Sequence, residues 1–187
     1  MMTNQEKTVY RYTRVFFAMV LILLHNQFVY GGPLVATDDP LYALRWLPAF
    51  IGYFMLMIEA KEIAPRPWNF LLMGLLLLGG VGNAVGFFSL LCGSRLGTLP
   101  VLNLLGHMGA VWFLALWTKG KTKAVEDTGY LPWLAACVFL LLFDAWLILN
   151  TCVNISLYNG AQLRLIPSVI MLVALYSLHL RVAMAKE

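Results

Sequence analysis

Charge is scarce in this chain of 187 residues. Lys, Arg, Asp and Glu make up 12% of it, about half the share of an ordinary soluble domain. With 61% of the residues hydrophobic, a free-standing soluble domain is not expected. Cysteine is rare as well. Cys92, Cys137 and Cys152 are far apart, and without a Cys-x-x-Cys pair thiol oxidoreductase chemistry has no basis. The chain has no His-Glu-x-x-His, no Gly-x-Ser-x-Gly and no phosphate-binding glycine loop, so the hydrolase and nucleotide-binding classes those motifs serve have no local signature. The first apolar run ends at Tyr30-Gly31-Gly32-Pro33 without a small-x-small cleavage site, so a removable signal peptide is not expected. The net charge of +4 is spread over short flanks, which speaks for topology and anionic lipid, and no nucleic-acid partner is expected.

Long apolar runs fill the rest, and six of them are expected to be transmembrane helices. The expected spans are 13–32, 42–63, 68–92, 99–118, 130–153 and 161–183. Six spans of roughly 20 residues use about 120 residues. What remains suffices for short loops only, so one transmembrane domain over 1–187 is expected. The thirteen basic residues orient it. Lys7, Arg11, Arg14, Lys61, Arg66, Lys119, Lys121, Lys123, Arg181 and Lys186 fall at alternate ends of the runs, against Arg45, Arg95 and Arg164 at the others. Basic residues are retained on the cytoplasmic side. The expectation is an all-α, compact six-helix bundle in the cell inner (plasma) membrane, with both termini cytoplasmic.

Trp46, Trp68, Trp117, Trp133, Tyr42, Tyr130 and Tyr158 lie near the expected helix ends, where amphipathic rings favour the headgroup level. Glu59, Lys61 and Glu62 close the second span and are expected to anchor it at the interface. Gly82 and Gly86 in the third span fall on one helix face, and Gly106 and Gly109 mark the fourth. Small faces let backbones approach closely in lipid. Cys92 and Cys152 fall at the outer ends of the third and fifth spans, which makes them a disulfide candidate in an oxidising compartment.

The polar residues inside the spans share a depth. His25, Asn83, His107 and Asp144 each lie seven to nine residues from an outer helix end. At 1.5 Å per residue that places them about 10–14 Å below the outer surface. Asn26 adjoins His25, Asn103 lies one turn above His107, and Tyr53 reaches a similar or slightly deeper level. Asp144 stands among leucines, where an ionised side chain costs about 2.5–3.5 kcal/mol, so it is expected to face the bundle interior. His25, Asn26, Asn83, Asn103, His107 and Asp144 form the candidate ligand-binding layer, with Arg164 above it as an anion contact. Pro48 and Pro167 lie a few residues inside external ends, where they can unwind backbone beside such a layer.

A small-molecule binding or transport protein with an outward-facing polar pocket is the leading expectation. In size and topology the pattern is similar to the substrate-binding components of energy-coupling-factor vitamin transporters, although the first helix lacks that family's Ala-x-x-x-Ala coupling pattern. The alternative is a membrane-embedded enzyme or redox protein. His25 and His107 would then be axial ligands of a b-type haem, or would join Asp144 in a two-His, one-carboxylate metal site. No residue is assigned a catalytic role and no cofactor is specified. A further alternative is an accessory subunit whose polar layer contacts a partner membrane chain or a second copy of itself.

Overall fold

The structure is a computed structural model, and it describes residues 4–24, 43–44, 46–61, 63, 66–93, 100–119, 138, 142 and 165–184. It is all-helical, with no strand among the described residues. Five helices are defined there: α1 (Asn4–Leu23), α2 (Leu47–Ala60), α3 (Trp68–Leu91), α4 (Pro100–Lys119) and α5 (Leu165–Met184). Of the expected fifth span, Val138 and Leu142 alone are described, and both are helical.

Helix α3 is long and apolar enough to cross a membrane. Its 24 residues correspond to about 36 Å of rise, and none of them is charged. Gly93 follows at φ 66°, a left-handed conformation that glycine adopts without steric cost at a helix C-terminus. Pro100 then opens α4, where its missing N–H is one the first turn leaves unbonded in any case. Shorter apolar stretches run over Leu47–Ala60, Val101–Trp117 and Ser168–Ser177.

Two helix starts differ from the sequence expectation. Helix α1 begins at Asn4, so the basic flank preceding the first apolar run is itself helical and carries Arg11 and Arg14 on fixed positions. Helix α2 begins at Leu47 instead of Tyr42, with Pro48 in its first turn. Pro48 therefore initiates the helix, as proline's fixed φ favours, and unwinds nothing within it. Pro167 likewise falls in the first turn of α5.

Each helix buries one stripe. Helix α1 buries Tyr12, Val15, Ala18, Met19 and Ile22, and α2 buries Ala49, Gly52, Tyr53, Leu56, Glu59 and Ala60. Both follow the three-and-four spacing of one helix face. Helix α1 packs between α5 and α2, while α3 packs between α2 and α4. The core joins α1, α2, α3, α4 and α5 through residues such as Met19, Leu56, Leu72, Phe113 and Met171. The opposite stripe of α2, with Phe50, Phe54 and Ile58, is exposed, as are Phe70, Leu77, Leu78, Val81 and Phe88 of α3.

Candidate functional site

The α2–α3–α4 junction is set by two glycines. A Cβ built on Gly79 would lie 2.7 Å from the Cα of Gly106, and one built on Gly106 would lie 2.5 Å from the Cα of Gly79. Either Cβ would also meet the Tyr53 ring, at 2.7 Å and 2.8 Å respectively. The backbones of α3 and α4 therefore cross with no side chain between them, and Tyr53 of α2 lies in the notch they make.

That contact fixes the register of α3 against α4. Gly82 faces Leu102 and Asn103, and Gly109 faces Leu75 and Leu76. As α3 advances by three residues, α4 retreats by about the same number, which is the signature of an antiparallel pair. Asn83 lies four residues beyond Gly79, and Asn103 lies three before Gly106. Both are displaced in the same direction from the crossing point, and they meet. Asn83 Nδ2 donates to Asn103 Oδ1 at 2.9 Å and to the Gly79 carbonyl at 2.8 Å. Of the glycines expected to allow close approach, Gly82, Gly106 and Gly109 all lie at this helix pair. The structure puts the tightest contact at Gly79, one turn before Gly82.

Asn83 is 1% exposed. Its amide orientation follows from its partners, because the Gly79 carbonyl can only accept and so requires the nitrogen on its side. Asn83 Oδ1 must then point the other way. It is buried and has no hydrogen-bond partner among the described residues. An acceptor in that position costs about 1–3 kcal/mol when left unbonded. His107, four residues along α4 from Asn103, is buried, with its ring centroid 6.4 Å from that of Tyr53. Asn83, Asn103 and His107 of the expected layer, and Tyr53 close to it in depth, thus lie around a single three-helix contact.

The other expected layer residues, His25, Asn26 and Asp144, lie outside the described residues, as does Arg164. Among the described residues no group of three or more His, Cys, Asp or Glu comes together, and two of the three candidate metal ligands, His25 and Asp144, are not in that set. Cys92 is exposed just beyond the end of α3, and its expected partner Cys152 is outside the described residues.

A second polar cluster was not anticipated. Glu59, expected at the interface, is buried on the same stripe as Tyr53 and Leu56. Arg11 Nε donates to Glu59 Oε2 at 3.0 Å, and Arg14 Nη2 lies 3.1 Å from Glu59 Oε1. Two guanidiniums from α1 therefore divide one carboxylate of α2. The Arg14 guanidinium also lies 5.6 Å from the centre of the Tyr10 ring. The sequence signal was available: Glu59 continues the three-and-four spacing of the buried residues Ala49, Gly52, Tyr53 and Leu56. Nearby, Asn69 of α3 donates to the Lys61 carbonyl at 3.0 Å, which satisfies an acceptor at the C-terminal end of α2.

No protein-family model matches the chain, and no characterised protein and no solved structure shows significant similarity to it.

Proposed function

We propose that this chain is a multi-pass protein of the plasma membrane, with six transmembrane helices and both termini in the cytoplasm, whose intramembrane polar layer opens outward and binds or transports a small molecule. The observation that carries the proposal is the Asn83 amide. It is held by two acceptors, buried, and presents an oxygen to which no described residue donates. Such an atom calls for an N–H or O–H donor, and a bound solute is one source. Support for the membrane comes from the alternation of basic residues between apolar runs and from the exposed stripe of Phe50, Phe54 and Ile58. A monomer in water seldom exposes so continuous an apolar surface. His25, Asn26, Asp144 and Arg164 belong to the same proposal. Asp144 faces the interior, where imidazoles or amides satisfy it, and Arg164 meets an anionic part of the ligand.

Asp144→Asn tests the layer. The purified chain is screened for small molecules that raise its melting temperature. A ligand at a hundredfold its Kd adds about 2.7 kcal/mol to stability. At least one compound is expected to stabilise the wild type and to lose its effect on the variant, while the helical content of the variant is unchanged. If Asp144 only ties helices together, Asp144→Asn will lower the melting temperature and leave every ligand-induced shift intact. A Soret band in the purified wild type would favour the haem alternative instead.

A further inference from the structure

We infer that Arg11 and Arg14 form a headgroup site for an anionic phospholipid on the cytoplasmic side, with Glu59 as the positioning residue beneath them. The inference rests on the membrane reading above. The carboxylate is the buried member of the cluster. The Glu59 side chain is 6% exposed, whereas those of Arg11 and Arg14 are 29% and 30% exposed. A guanidinium is planar, and Glu59 faces Nε of Arg11 and Nη2 of Arg14. A single buried anion thus fixes the planes of two cations at the edge of the bundle. Planar, fixed guanidiniums are well suited to the oxygens of a phosphodiester.

The local charge favours an anion. Residues 6–14 and 59–66 include Lys7, Arg11, Arg14, Lys61 and Arg66 against Glu6, Glu59 and Glu62, a surplus of two positive charges. Lys7 and Lys61 are both exposed. Lys7 precedes Arg11 by four residues and Arg14 by seven, so all three fall on one side of α1.

The surroundings favour a lipid over a soluble phosphate. Tyr10, Arg14 and Phe17 are spaced by four and three residues, which aligns them along one face of α1. Tyr10 and Phe17 are 55% and 57% exposed. Arg14 thus lies between an amphipathic ring on the terminal side and an apolar ring one turn further into the span. A phosphate at Arg14 would place an acyl chain along Phe17, and Tyr10 would lie at the headgroup level, where such rings concentrate.

The test is native mass spectrometry of the full chain in detergent with equimolar phosphatidylglycerol and phosphatidylcholine. Phosphatidylglycerol is expected to be retained preferentially. Arg14→Gln should weaken its binding about fivefold, the value of one basic residue near an anionic surface, and leave phosphatidylcholine unchanged. If Arg14→Gln does not fold, Lys7→Gln replaces it. That exposed residue lies outside the carboxylate cluster, and its loss should weaken phosphatidylglycerol binding by less than the loss of Arg14. Millimolar inorganic phosphate should not compete. Equal retention of the two lipids, or an undiminished preference in the variant that folds, overturns the site. Full competition by inorganic phosphate overturns the lipid assignment. Carbonate extraction of cell membranes separates this from the underlying reading. A chain released by carbonate defeats the membrane reading, whereas a chain that resists extraction yet shows no lipid preference defeats the headgroup site alone.

Discussion

Gly106→Val is expected to prevent assembly of the α2–α3–α4 unit. A Cβ at Gly106 would meet the Gly79 backbone at 2.5 Å and the Tyr53 ring at 2.8 Å. The first of these neighbours is main chain, so no rotamer change relieves the clash, and the two helices must separate. Overpacking a core costs about 1–3 kcal/mol and occasionally more. Here the separation would also pull Asn83 from Asn103 and lift Tyr53 from its notch, so a loss of at least about 3 kcal/mol is expected. Gly79→Val should behave the same way. Gly74→Ala is the control. A Cβ there meets nothing within 4 Å, and replacing a mid-helix glycine by alanine gains up to about 1 kcal/mol. Unfolding of the purified proteins by increasing denaturing detergent, followed by helicity, measures all three. Equal stability of Gly106→Val and wild type would refute the close crossing.

Glu59→Gln is expected to be nearly as damaging for a different reason. It leaves two guanidiniums beside a neutral amide that can accept only through one oxygen. Removing one partner of a buried ion pair costs about 3–5 kcal/mol. The two arginine side chains are close to one-third exposed, so water relieves part of their repulsion and the lower end, about 3 kcal/mol, is expected. Arg11→Met alone should cost less, because Arg14 still holds the carboxylate. Replacing all three with apolar residues of similar volume should recover most of the loss. The same unfolding assay reads these variants. A triple replacement less stable than Glu59→Gln would mean that the cluster contributes more than the pairing of its charges.

The length and apolar character of α3 are legible in the sequence because they are one-dimensional. Apolar length and residue counting along a helix supply them directly. What counting could not supply was azimuth. Nothing in the spacing of Asn83 and Asn103 says that their side chains meet. That depends on which faces of α3 and α4 cross, and Gly79 and Gly106 decide it from elsewhere in the sequence. The burial of Glu59 was not legible for a related reason. A carboxylate near a helix end is ordinarily solvated, and its burial here depends on two arginines 45 and 48 residues earlier in the chain. Helix α2 starts at Leu47, five residues after the expected Tyr42, and Pro48 in its first turn is a local signal for that start. His25 and Asp144, the remaining ionisable members of the proposed layer, lie outside the described residues.

The central claim is a membrane-crossing bundle whose polar layer is open to the outside, and thiol labelling of intact cells tests it most directly. Single cysteines are placed in a cysteine-free background at Asp39, Asn159 and Gly120, at Asn103 in the layer, and at Leu77 on the exposed apolar face of α3. A membrane-impermeant maleimide is then added outside. The prediction is reaction at Asp39, Asn159 and Asn103, with Gly120 reacting only after the cells are opened and Leu77, facing lipid, remaining inert. Labelling at Gly120 in intact cells but not at Asp39 or Asn159 would invert the orientation. Reaction at Leu77 comparable to that at Asn103, or an inert Asn103 in a chain whose loops label as predicted, would contradict an outward-open polar layer.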